Sequence, residues 1–239
     1  MKIDPTTGGL SAQIATSIRD AIIAGDLLVD QRLPSEAELA EQFNVSRPTV
    51  REALKRLAAQ SLIRTQRGAT FVNRITFPEA YAQQITTSTL LLSMNDVSFG
   101  TACEARFALE RSCATLSAAR RTADHLAAMR AEIHRQSQPG LTDEAFCASD
   151  VSFHRALVDG ACNPVLSYQL AGAVEAMQPL MNMVTFSSRD RARIVAMHIA
   201  IADAVEAQDG AAVASGLIDL EKETQMLAEG VFAERAAQN

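Results

Sequence analysis

The sequence predicts a mainly α-helical protein in two parts. A winged helix-turn-helix with a small β-hairpin wing is expected over residues 1–75, and an all-α bundle of about seven helices over residues 78–232. Three observations carry this expectation. Apolar residues recur at helical spacing along nearly the whole chain. The strand-like runs are two short ones that flank Gly68. Charge also divides: residues 1–75 hold 10 basic and 8 acidic side chains, residues 76–239 hold 12 and 20, and the chain carries −6. From Ser46 to Arg74 there are seven Arg or Lys residues and one acidic residue, Glu52. A local basic patch on an acidic chain is the electrostatic footprint of a phosphate-binding surface.

The elements of the first part follow in order. Leu10, Ile14, Ile18 and Ile22 form a one-sided apolar stripe for a first helix, which Gly25 ends. Ser35 with Glu38 three residues on is a capping box for a second helix. Ser46 caps a third, with Pro48 tolerated in its first turn. Val50, Leu54 and Leu57 make the core stripe of that third helix, while Arg47, Arg51 and Lys55 line an adjacent face. Leu62–Thr65 and Thr70–Val72 are two strand-like runs around Gln66-Arg67-Gly68-Ala69, a hairpin with a basic tip. Together these would set a basic helix in a DNA major groove, with Arg47, Arg51 and Lys55 on its open face and Arg67 at the tip of the hairpin. The competing reading is a three-helix bundle whose charges are merely solvated.

The second part shows no alternating strand pattern. Helices are expected near 78–93, 98–120, 122–138, 142–160, 164–187, 189–208 and 210–229, with a kink at Pro179. Several ionisable residues fall on the core stripes. Asp150 and His154, one turn apart, border Phe146, Phe153 and Leu157. His198 lies among Ile194, Ile201 and Val205, and Arg106 lies in an arc with Phe99, Cys103, Leu109 and Cys113, one turn from Glu110. Such groups cost several kcal/mol each in a core unless paired, neutralised or bound. In a structural reading, Arg106–Glu110 is a buried ion pair and Asp150–His154 a hydrogen-bonded couple. In a functional reading, Asp150, His154 and His198 converge on a divalent metal (Zn, Mn, Fe or Ni), and Arg106 holds the carboxylate of a small organic acid beside it. His125 and His134, on a charge-rich helix, are expected at the surface.

Composition excludes several classes. With 48% hydrophobic residues and few Pro or Gly, the chain is not of disordered type. No stretch approaches the roughly 18 uninterrupted apolar residues of a spanning helix, and Met1-Lys2-Ile3-Asp4-Pro5 lacks the apolar run of an export signal. Cys103, Cys113, Cys147 and Cys162 form no Cys-x-x-Cys pair. They are read as reduced thiols of a cytoplasmic protein that does not engage membranes.

The run Leu33-Pro34-Ser35-Glu36, then Val45-Ser46-Arg47 and Val50-Arg51-Glu52-Ala53-Leu54, then the Gly68 wing, resembles the DNA-binding domain of the GntR family of bacterial transcription regulators. The resemblance implies that Arg47, Thr49 and Arg51 touch DNA and that the wing glycine reaches the minor groove. Ala37 replaces an Arg found in some members, and Ala69 leaves the wing with one glycine. Glu104-Ala105-Arg106 with Leu109-Glu110, then Asp150, Phe153-His154, Asn163-Pro164 and His198, resemble the FCD effector domain of the FadR-type branch.

Many such domains hold a metal with an Asp, a His one turn on, and two further His on the last helix pair. Asp150, His154 and His198 match three of these ligands. If the last two helices turn at Asp209, the position opposite His198 is Leu220, so the fourth ligand is missing unless water, effector or the flanking Glu221 fills the gap. The resemblance implies a homodimer on a palindromic double-stranded operator, acting as a repressor released by a small organic acid. Two alternatives are a metal-free, FadR-like sensor of an acyl thioester or other apolar ligand, and a metal-dependent enzyme.

Overall fold

The structure, a computed structural model, describes residues 9–95, 97–177 and 190–237. The chain divides into two compact units, Met1–Thr76 and Phe77–Asn239.

In the first unit α1 spans Leu10–Ala24, and its C-cap Gly25 takes φ 82°, giving its amide to the carbonyls of Ala21 and Ile22. Ile14, Ala15 and Ile18 are its buried residues, while Leu10 at its first position is exposed. The second helix, α2 (Glu36–Phe43), opens on the expected capping box: Ser35 Oγ accepts from the Glu38 amide, and Ser35 N donates to Glu38 Oε2 at 2.7 Å. The third, α3 (Arg47–Ala59), is capped by Ser46. Its buried residues are Val50, Ala53 and Leu57, and the expected core residue Leu54 is only partly covered. Ala53 is fully buried beside it, and Leu54 packs against the cluster from its edge.

Strands β1 (Ile63–Gln66) and β2 (Ala69–Val72) pair antiparallel, with Gln66 opposite Ala69. The loop is therefore Arg67-Gly68, with φ of 50° and 77°. Positive φ at both positions is the two-residue turn whose twist matches that of the strands. Leu33 N donates to Thr70 O, which ties the segment before α2 to the wing.

Among the described residues the second unit has seven helices. They are α4 (Phe77–Met94), α5 (Phe99–Arg120), α6 (Ala123–Gln136), α7 (Asp143–Asp159), α8 (Pro164–Ala176), α9 (Arg191–Glu206) and α10 (Gly210–Ala237). Ser98, Thr122, Thr142, Asn163 and Asp190 cap five of them with side-chain oxygens. The expected Pro179 kink lies outside the described residues, and the last helix runs eight residues beyond its expected end at 229. Helix α5 packs on α10, α7, α8 and α9. Its backbone approaches α10 closely at Gly210, where an added Cβ would lie 2.7 Å from Thr115 Cα. The core holds Phe107, Phe153, Leu157, Ile201, Val205, Leu217 and Leu220. Leu109, expected in that arc, is exposed; Phe107 takes the inward position. None of the described helices is long and apolar enough to cross a membrane.

Candidate functional site

The basic face of the first unit is assembled by α3 and the hairpin. Arg47 is exposed in the first turn of α3, and Arg67 and Gly68 are exposed at the hairpin tip. Thr49 is partly covered, with Oγ1 2.8 Å from Ser46 Oγ. Two of the cations have carboxylate partners. Arg51 donates to Glu36 through Nε to Oε1 at 3.1 Å and through Nη2 to Oε2 at 2.8 Å. Lys55 Nζ lies 2.8 Å from Glu52 Oε1. The Arg51 hydrogen bond holds the Glu36 carboxyl below its ordinary value. These pairs are exposed, so each is worth little in water and yields readily to a phosphate.

In the second unit Asp150, His154 and His198 meet in the core. Each offers one ligand atom, and these atoms lie within 4.8 Å of one another. Asp150 and His154 come from successive turns of α7, and His198 from the middle of α9. His198 is fully buried and stacks on the Phe153 ring with centroids 4.1 Å apart. Its Nδ1 lies 2.8 Å from Gln136 Oε1, and its Nε2 lies 3.5 Å from Asp150 Oδ1. His154 sets Nδ1 2.7 Å from Glu110 Oε2, an approach too bent for a fully aligned hydrogen bond. The other Glu110 oxygen, Oε1, accepts from Arg106 Nε at 2.7 Å.

Burial decides the charges here. It pushes the His198 imidazole down to about 3, so the ring is neutral near pH 7. Burial alone would raise Glu110, but the charge of Arg106 and then the contact with His154 outweigh it and hold the carboxyl at about 2. Burial opposes the Arg106 charge too, and the carboxylates of Glu110 and Asp150 outweigh it, so Arg106 stays a cation. The expected Arg106–Glu110 ion pair is thus present, and His154 is joined to it as a third member.

This donor set suits a divalent transition metal. One carboxylate and two neutral imidazoles are ligands of the right hardness, and His198 Nε2 is a buried nitrogen without a hydrogen bond. Leu220 is buried in the apolar cluster and offers no ligand. Glu221, the other protein candidate for that gap, has its carboxylate paired with Arg111. His125 caps α6 by accepting from Thr122 N at 3.1 Å, and His134 is exposed beside Gln138.

Sequence reasoning missed Glu36 and Gln136. Gln136 could have been found, since it continues the buried stripe Met129, Ile133, Gln136 of α6 as its one polar member.

Comparison with known proteins agrees with this division. Residues 10–72 match the family described as bacterial regulatory proteins, gntR family, and residues 101–219 match the FCD domain. The galactonate operon transcriptional repressor of Escherichia coli K12 is 28% identical over 224 residues, covering 91% of this chain and 96% of that protein. A second Escherichia coli K12 protein, provisionally named as the L-lactate dehydrogenase operon regulatory protein, is 30% identical over 213 residues, covering 84% and 79%. Among solved structures, a GntR protein of Streptococcus agalactiae matches with a TM-score of 0.55 and 21% identity, covering 90% of this chain and 99% of that one, a likeness of fold. The chain belongs to the GntR family of DNA-binding bacterial transcription regulators and carries an FCD domain behind its winged helix.

Proposed function

We propose that this regulator is a ligand-responsive repressor that leaves its operator when a small organic acid binds in the FCD domain beside a divalent metal. Arg47, Thr49, Arg51 and Lys55 of α3, with Arg67 and Gly68 of the wing, form its DNA contact. Asp150, His154 and His198 hold the metal, and Arg106 attracts the carboxylate of the acid. The observation that carries this reading is the convergence of a carboxylate and two buried imidazoles whose ligand atoms lie within 4.8 Å of one another. When bound, the metal supplies a Lewis-acid anchor for an effector oxygen, while Arg106 supplies fixed positive charge and Phe153 a dry wall.

Two relatives are named for the galactonate operon and the L-lactate dehydrogenase operon, and galactonate and L-lactate are both carboxylic acids, which supports that effector class. Both are also named as regulators, which weighs against a catalytic use of the site. Helix α4 supports a homodimer: none of its residues is buried, and Leu90, Leu91 and Met94 are exposed. A dimer would set two α3 helices on the halves of a palindrome. Effector binding then acts by shifting the population of dimers whose α3 helices match that spacing.

The test is metal analysis of the purified protein combined with operator binding in the presence of hydroxy and sugar acids. Stoichiometric metal and acid-dependent release are expected. A metal-free protein whose operator binding no acid alters would reject the reading. A specific observation favours one competitor, a metal-free sensor of an apolar ligand. A cavity of about 320 Å3 lies among α4, α5 and α8, with Leu91, Leu92, Ala102 and Ala105 in its wall. Release by an acyl thioester with no metal present would select it.

A further inference from the structure

We propose that Gln136 is a positioning residue for the FCD site: it keeps the proton of His198 on Nδ1, so that the Nε2 lone pair faces Asp150 and His154 as a ready ligand. This rests on the metal reading above and adds to it a residue from α6, which supplies no ligand.

A neutral imidazole carries one N–H, and the nitrogen that holds it is the donor. Gln136 Oε1 lies 2.8 Å from Nδ1, a good hydrogen-bond length, on a side chain only 4% exposed. Across the ring, Nε2 is 3.5 Å from Asp150 Oδ1, beyond an effective hydrogen bond, and makes none. A proton on Nδ1 therefore gains one well-formed bond. A proton on Nε2 would give that bond up unless the amide turned over, which would put Oε1 in the buried place where Gln136 Nε2 now lies without a partner.

The ring has little freedom to escape this choice. Phe153 stacks on it at an interplanar angle of 19°, which fixes its plane, and the Gln136 bond fixes its rotation within that plane. What remains is a buried lone pair among the other two ligand atoms, which is costly in a dry core unless something accepts it. A metal ion does so. Metal-ligating histidines commonly donate their second nitrogen to an oxygen acceptor, which sets the tautomer and the ring direction. His154 has the equivalent neighbour in Glu110 of α5. The site is thus buttressed from two helices, by a carboxylate behind His154 and by a neutral amide behind His198. The amide adds no charge to a core that already holds Arg106, Glu110 and Asp150.

The test has two parts on full-length protein. In chelator-treated, 15N-histidine-labelled protein, the ring nitrogens of His198 should report a proton on Nδ1. In Gln136→Met, which keeps the side-chain length but removes the acceptor, that preference should be lost. Titration with Ni2+ or Zn2+ should then show affinity about 10- to 100-fold weaker in Gln136→Met. Gln136→Glu, which retains an acceptor oxygen, should stay within a few-fold of wild type, and circular dichroism and operator binding should be unchanged in both. A His198 proton found on Nε2 in the wild type overturns the proposal, as does equal metal affinity in Gln136→Met. A wild type that takes up neither ion removes the metal reading and the ligand half of this one. The tautomer measurement still decides whether Gln136 sets the proton.

Discussion

Glu36, in the first turn of α2, holds Arg51 of α3 along one edge of its guanidinium, accepting from Nε at 3.1 Å and from Nη2 at 2.8 Å, across 15 residues of sequence. The pair uses Nε and one face of Nη2, so Nη1 and the other hydrogen of Nη2 point away from Glu36. An arginine held this way keeps a bidentate edge for a guanine while its stem is steadied.

Arg51→Ala should weaken specific operator binding by about 1–3 kcal/mol, roughly 5- to 150-fold, with the helical circular dichroism unchanged. Arg51→Lys should do nearly as badly, since one ammonium cannot hold Glu36 and a base edge together. Arg47→Ala should cost a similar amount. Fluorescence anisotropy with a labelled operator at matched salt reads this. A variant that retained wild-type affinity would take that residue off the recognition surface.

Arg106 calls for a different expectation from the one its sequence position invites. As a simple effector clamp, it could be truncated with loss of response alone. Its Nε instead serves Glu110, both side chains are essentially unexposed, and Glu110 also faces His154. Arg106→Ala would leave a buried carboxylate uncompensated, at a cost of about 3–5 kcal/mol. The thermal midpoint of the FCD unit should fall accordingly. The double variant Arg106→Met with Glu110→Gln should recover much of that loss, because it removes both charges together. Additive losses in the two single variants and the double would show that the pair is not coupled.

Local chemistry was legible in the sequence, and long-range pairing was not. The capping box of Ser35 and Glu38, the Gly25 stop and the Arg67-Gly68 turn depend on neighbours within four residues, and each formed as expected. Asp150, His154 and His198 could be chosen because a polar residue on an apolar stripe stands out. Glu36–Arg51, Glu110–His154 and Gln136–His198 join residues 15, 44 and 62 apart, which no periodicity encodes. The misjudged Leu109 has a related cause. Helix α5 is packed by four other helices, so its 22 residues carry no single stripe to read.

Acid should destabilise the metal-free protein in two overlapping windows. His198 has its folded value lowered from 6.5 to about 3, so between these limits the unfolded chain binds the proton and the folded one does not. Stability is then lost as pH falls from about 6.5 towards 3. Glu110, lowered from 4.5 to about 2, acts in the same direction over that lower range. Urea midpoints of chelated protein measured across pH 7 to 4 should decline. His198→Asn should flatten the part above pH 5 and reduce the slope below it to what Glu110 and the other carboxylates contribute. A wild-type profile that stays level between pH 6.5 and 5 would mean that His198 is not held neutral by burial.

Leu220 supplies the sharpest test of the metal reading. It is buried in the apolar cluster of α10, and the neighbouring Glu221 is committed to Arg111. On the metal reading the site then has three protein ligands, Asp150, His154 and His198. Three ligands retain a transition metal less firmly than four, so prolonged chelator treatment should strip it. The thermal midpoint should then drop, since an ion that binds only the folded state stabilises that state by mass action. Leu220→His adds an imidazole on the helix that turns back along α9. Once metal is bound, it should slow release to the chelator and raise the midpoint. Without metal it should lower the midpoint, because a polar ring replaces a buried leucine. That reversal of sign is the diagnostic. If Leu220→His were less stable than wild type whether or not Ni2+ or Zn2+ was present, position 220 would not reach the site. If fresh wild-type protein also lacked stoichiometric metal, Asp150, His154 and His198 would be hydrogen-bonding groups of a metal-free effector pocket.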